Sequence, residues 1–425
     1  MPGRAFAAKP NRCQVWRGTV QIALDSRVAV WLMQARHHSL PLSAVRNGIP
    51  PLASSSSADL LTSSLGMAQP EARVLSRANA SARFPFLDLM RAIASQLIVL
   101  HHLAFYGPLS ERAYEAAPLL FDWLIDYARM AVQVFLVIGG FLSARSISKI
   151  SYIDAKSVRS AIFARYRRIG VPYLATLAVA ILVNEAARRF MTHDAISARP
   201  TLGQLVAHTA FLHDILGYEA LTAGIWYLAI DFQLYIVMLL LFWCCSKWQR
   251  RWPSRLNFTP WQLSLLVIAP IAVLSLLWFN RQASLDCWAI YFIGAYFLGL
   301  LLNEVLSNPA LLRWAGAYWC LAVAVALYDS RPRLLVAAMV ALIVALAERF
   351  SLLRRWPDVG IVNYLGRISY SLFLIHFPVL LLINAVGVRA LTSSTPVAMF
   401  GLLLAYVASL AAGFAFYHSV EKRIR

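Results

Sequence analysis

The sequence predicts an all-α, polytopic membrane protein of about ten transmembrane helices, with both termini cytoplasmic. Three observations predict it. Of 425 residues, 60% are hydrophobic and 14% charged, where a soluble domain carries roughly 25% charged. The apolar residues stand in blocks, most of them close to the roughly 20 residues a helix needs to cross a bilayer. The basic residues behind the formal charge of +19 gather in alternate gaps between those blocks, as in loops held on the cytoplasmic side.

That placement argues against nucleic acid as a partner, because the charge belongs to membrane loops and forms no separate basic domain. The cysteines Cys13, Cys244, Cys245, Cys287 and Cys320 show no CxxC spacing and mostly fall inside apolar blocks. They read as small buried hydrophobes, with no disulfide framework and no metal site.

Residues 1–82 form a first region, rich in Ala, Ser and Arg, with Asp25, Asp59 and Glu71 as its acids. It lacks the compact apolar core of a signal peptide and is expected to be a disordered tail. Met67, shortly before the first helix, is a candidate alternative start. The transmembrane domain is expected over 83–425. Its apolar blocks run over 86–106, 127–146, 168–187, 224–245, 261–280, 284–304, 313–328, 331–350, 367–388 and 396–418.

The gap after the second block holds Arg145, Lys149, Lys156, Arg159, Arg165, Arg167 and Arg168 against Asp154. Lys247, Arg250, Arg251 and Arg255 follow the fourth, Arg349, Arg354 and Arg355 the eighth, and Lys422, Arg423 and Arg425 close the chain. The first loop of the opposite side carries Glu111, Glu115, Asp122 and Asp126 against Arg112. The alternation places both ends in the cytoplasm. The longest opposite-side loop, about 188–223, contains a moderately apolar stretch, Leu202 to Leu216, expected to lie along the interface.

Ionisable groups inside a spanning helix are costly, so each is a functional candidate. At about 100° per residue, Asp88, Arg91, Ser95, His102 and Tyr106 of the first helix share one narrow stripe, with Gln96 and His101 off it. Arg91 and His102 lie roughly 16 Å apart along the axis. A cation near the cytoplasmic end and an imidazole near mid-membrane can hold two ends of one long substrate. The bland alternative is a snorkelling Arg91 and a packing His102. In the fourth helix Asp231 shares a face with Tyr227 and Tyr235, either in an ion pair with an arginine or orienting a histidine. His376 shares a face with Ser369, and Pro378 predicts a kink. Arg165 and Arg168, at the start of the third helix, can grip phosphates or simply mark the cytoplasmic side. His102, His376 and His418 also leave a b-type haem arrangement open. A transporter of a lipid-linked sugar or small acid, without covalent transfer, would use the same stripe as its pathway.

Six segments, in order, resemble the acyltransferase-3 family of bacterial membrane proteins over about residues 84–423. They are FLDLMRAIASQLIVLHH with Arg91 and His102, VQVFLVIGGFLSARS, ARYRRIGVPY with Arg165 and Arg168, WYLAIDFQLY with Asp231, LGRISYSLFLIHFPV, and YHSVEKRIR. The chain departs from the usual pattern at Asp231-Phe232, where two adjacent glutamates are common, at Gln133, where many members have an acid, and at Gly139, where many have serine. The resemblance implies an O-acyltransferase that moves an acyl group, often acetyl, from acyl-CoA as co-substrate to a carbohydrate or glycolipid hydroxyl at a bacterial inner membrane. No tightly bound cofactor is implied. By position, His102 would be the catalytic imidazole and Arg91, Arg165 and Arg168 the donor-binding residues. Asp231 matches the family pattern only in part and is a catalytic candidate through its own place in the fourth helix, as a group that could orient or charge a histidine. Asp88, Ser95, Tyr235 and His376 are further candidates.

Overall fold

The computed structural model describes residues 84–150, 153–252, 258–357 and 359–424. The tail expected over 1–82, Met67 included, lies outside the described residues. All regular structure among the described residues is helical.

The first apolar block becomes α1 (Pro85–Phe105). Two short helices opened by prolines, α2 (Pro108–Ala113) and α3 (Pro118–Asp126), occupy the acidic loop, since proline suits a first turn that needs no N–H. A 3₁₀ turn then leads into α4 (Val132–Ile147), so the second crossing is a broken unit. The next helix, α5 (Ala155–Ala187), starts earlier than its apolar block predicts. Asp154 caps it, accepting a hydrogen bond from the Ser157 N–H at 2.7 Å. The basic run that follows is built of good helix formers that hydropathy overlooks. Arg165 and Arg168 therefore lie about three turns inside the helix and not at its start.

After α6 (Leu202–Thr209) come α7 (Trp226–Arg251), α8 (Pro260–Leu277), α9 (Ala289–Ser307), α10 (Leu312–Tyr328) and α11 (Pro332–Arg349). The chain closes through α12 (Leu352–Arg355), α13 (Gly360–Leu391), α14 (Thr395–Phe416) and a π-helical turn, Tyr417–Glu421. Among the described residues, nine helical stretches are long and apolar enough to cross a membrane. The expected block that is not among them, the eighth (331–350), is α11, of similar length but carrying Arg333, Glu348 and Arg349. The chain is an all-α, multi-pass membrane protein.

Lipid-facing packing gains little from hydrophobicity, so close backbone approach matters more. A Cβ on Gly140 of α4 would collide with the Tyr296 carbonyl of α9, and one on Gly299 with the Val137 carbonyl. A Cβ on Gly366 of α13 would likewise strike the Asp88 carbonyl of α1, and Gly413 of α14 abuts Leu372. These contacts hold α13 between α1 and α14. The helix continues through Pro378.

The stretch expected along the interface packs one face against the middle of α5 and leaves Leu202 and Val206 exposed on the other. The Tyr166 hydroxyl donates to the Thr209 carbonyl at 2.8 Å, and the Tyr173 hydroxyl meets His208 Nδ1 at 2.6 Å. His213 stacks on His208 with ring centroids 4.1 Å apart, and both rings are fully buried. Burial pushes the His208 imidazole down to about 4 and His213 to about 3. Both rings are neutral in the folded segment, whereas an opened segment takes up protons near pH 6.5. Stability of the 202–218 segment is therefore full above pH 6.5 and falls as the pH drops toward 4, by up to about 2 kcal/mol per imidazole at pH 5. Hydrogen exchange of this segment, corrected for intrinsic rates, should speed up between pH 7 and pH 5. Equal protection at both values would contradict it.

Candidate active site

The α1 stripe turns inward as its spacing requires. The two polar residues off the stripe have structural partners: Gln96 Oε1 accepts from the Tyr406 hydroxyl at 2.9 Å, and His101 Nδ1 lies 3.0 Å from the Leu124 carbonyl. Ser95 is fully buried and donates to the Ala92 carbonyl at 2.8 Å, so its hydroxyl serves its own helix.

His102 meets His376 of α13, with Nδ1 2.7 Å from Nε2. The ring planes differ by 7° and the centroids are 4.9 Å apart. The rings thus lie edge to edge in nearly one plane, the alignment an N–H···N bond needs. His376 Nδ1 lies 3.1 Å from the Leu372 carbonyl, which can only accept. His376 therefore carries its proton on Nδ1 and accepts at Nε2. His102 must then donate from Nδ1, leaving the Nε2 lone pair bare. No described residue hydrogen-bonds that nitrogen, and the residue keeps 7% exposure. His102 can accept a proton at Nε2 without breaking either bond of the chain. The two rings bond to each other, which is not the arrangement of two axial ligands to one iron.

The arginines gather elsewhere. Arg91, Arg165, Arg168, Asp231, Ser369 and Glu421 line one cavity of about 140 Å³, walled by Phe135, Tyr227 and Phe373. Arg165 Nη2 lies 2.5 Å from Asp231 Oδ2, and the Arg165 guanidinium lies 5.0 Å over the Tyr235 ring. Arg91 approaches Asp88 at 4.0 Å. Ser371 donates to Glu421 Oε2 at 2.5 Å. Three guanidiniums converge on one cavity, Arg165 held by Asp231 and Arg91 beside Asp88, and their forked N–H donors suit an anionic oxygen-rich group.

A family model described as an acyltransferase domain, acyltransferase-3, matches residues 84–418. The chain belongs to the acyltransferase-3 family. It is an acyltransferase, and the transport reading gives way to an enzyme. No curated protein and no solved structure matches the chain.

Within this acyltransferase, the three expected donor-binding arginines share one cavity with Asp231. Asp231 faces Arg165 and does not reach the histidine, so of its two sequence readings the structure contains the ion pair. The partner of His102 is His376, which sequence spacing could place on a face but not against another helix. Tyr235 backs Arg165, Asp88 neighbours Arg91, and Ser95 is internally satisfied. Glu421 was not anticipated. It belongs to the closing YHSVEKRIR segment, one of the six that carry the family resemblance, and that resemblance is the signal that could have singled it out. Gly139 and Asp231, two departures from the family pattern, face each other: a Cβ on Gly139 would sit 3.2 Å from Asp231 Oδ1.

The Arg165–Asp231 pair makes a clear prediction. Removing one partner strands the other charge in a largely buried site, at a cost of about 3–5 kcal/mol, whereas removing both does not. Thermal unfolding in detergent should rank Asp231→Ala and Arg165→Ala below the double variant. A double variant less stable than either single one would contradict the pairing.

Proposed function

We propose that the protein is an O-acyltransferase that moves an acyl group, acetyl in the simplest case, from acyl-CoA to a hydroxyl of a cell-envelope carbohydrate or glycolipid. The observation that carries this reading is the bare Nε2 of His102, held by His376 in the tautomer a general base requires. A neutral imidazole accepts a hydroxyl proton at neutral pH.

In this reading the acceptor O–H gives its proton to His102 Nε2 as its oxygen attacks the thioester carbonyl. The C–S bond then breaks, and His102 returns the proton to the departing thiolate. The products are an ester and free CoA. His376 is a positioning residue: it accepts from His102 Nδ1–H throughout and keeps the ring oriented while it is cationic. Arg91, Arg165 and Arg168 bind the phosphates of the donor, for which forked guanidinium hydrogen bonds are well suited. Asp231 holds Arg165 in place. In this reading the arginines take acyl-CoA from the cytoplasmic side, the side to which the basic loops are assigned. The protein sits in a bacterial inner membrane with both termini cytoplasmic, and CoA acts as a co-substrate, not a resident cofactor.

Envelope glycans from a strain lacking the gene, complemented with variants, test this by mass spectrometry. Wild type restores an acyl mass that His102→Ala does not, while the variant accumulates as folded protein. His376→Gln, whose amide oxygen can still accept from His102 Nδ1, retains part of the activity, whereas His376→Ala loses roughly 10–100-fold. Unchanged acylation in His102→Ala would contradict the assignment.

A further inference from the structure

The arginine cavity and the histidine pair are adjacent, yet a layer of rings lies between them. Phe135 of α4, Tyr227 of α7 and Phe373 of α13 form a closed triangle. Their centroids are 5.9 Å apart for Phe135–Tyr227, 6.4 Å for Phe135–Phe373 and 6.1 Å for Tyr227–Phe373. All three line the cavity. Beyond them, the Phe373 ring lies 6.3 Å from that of His376. Gly224 locates the other side: its φ is +83°, and a Cβ there would lie 3.2 Å from Phe373 Cζ and 3.4 Å from His102 Cε1. The tip of Phe373 and the edge of His102 thus meet at one point of backbone. Helical spacing agrees, since Ser369, Phe373 and His376 follow one face of α13, the latter two about 6 Å and 10 Å along the axis from Ser369. Ser369 belongs to the cavity, Phe373 to the layer, and His376 to the pair.

We propose that Phe373, closing against Phe135 and Tyr227, is the residue that separates the anion-binding cavity from His102 and sets the size of the acyl group that can pass. This deepens the acyl-CoA reading above and rests on it for the nature of the passing group. A donor anchored by its phosphates at Arg91, Arg165 and Arg168 reaches His102 only if its thioester arm crosses the ring layer. The rings carry no charge and close the path to water, which protects a bound thioester from hydrolysis. Rotation of Phe373 about its side-chain bonds opens the triangle without moving a helix. The opening admits a small acyl group more readily than a long one, because it must fit between three rings held by separate helices.

Phe377 provides the contrast. Its ring lies 6.4 Å from that of His102 and 5.0 Å from that of Tyr106, on the side away from the cavity. It should not control the passage.

The barrier is tested without any acyl donor. His102→Cys is labelled in detergent with an anionic methanethiosulfonate, and the modified peptide is quantified by mass so that native cysteines do not interfere. Adding Phe373→Ala should raise the labelling rate roughly tenfold or more, while adding Phe377→Ala leaves it unchanged. An unchanged rate with Phe373→Ala, or equal acceleration by both, would overturn the proposal. Size selection is read separately, with His102 intact, as the kcat/KM ratio for hexanoyl-CoA over acetyl-CoA. This ratio should rise roughly tenfold or more in Phe373→Ala, the scale by which a few methylenes are discriminated in a pocket. A ratio equal to wild type would overturn the selectivity role. If Phe373→Ala does not fold, Phe373→Leu gives both readouts in the same direction. Faster labelling in a protein that transfers no acyl group from acyl-CoA would leave the barrier standing and remove the donor reading.

Discussion

A hydrogen bond between two imidazoles, His102 and His376, buried among apolar helices, is the interaction on which the site depends. In such surroundings a polar group without a partner is expensive, so each ring must direct its protons in one way only. The Leu372 carbonyl fixes His376, His376 fixes His102, and the remaining lone pair is left for chemistry. The arrangement performs the orienting task often given to a carboxylate, but with a neutral partner. A carboxylate there would be a further buried charge to compensate.

The same constraint is met at several other buried polar groups. Arg165 has Asp231 and the face of Tyr235, Ser371 donates to Glu421, and Trp261 of α8 donates to Glu304 at 2.8 Å. Pairing keeps these charges in place, and the glycine contacts between α4 and α9 and between α1 and α13 set the helix separations that make pairing possible. Packing and polar satisfaction are here one problem.

Much of this was legible in the sequence, for definite reasons. Apolar blocks gave the crossings because bilayer thickness sets a length, and the stripe on α1 picked out Arg91 and His102 because charge inside a membrane needs cause. The early start of α5 was not legible, since a charged helical extension and a charged loop have the same hydropathy. Nor was the identity of the partners: periodicity assigns a face, not which helix lies opposite it. Asp231 is the instructive case, for its burial and polarity were foreseen but its partner depends on α5 running past it. Phe373 is illegible for the opposite reason, being one aromatic residue among many in an apolar helix.

The tautomer of His102 is the feature most open to direct measurement. In protein labelled with ¹⁵N-histidine, with the His102 signals assigned by comparison with His102→Ala, the nitrogen shifts at neutral pH should report a protonated Nδ1 and an unprotonated Nε2. A proton on His102 Nε2 under those conditions would contradict the hydrogen-bond chain and the role of general base built on it.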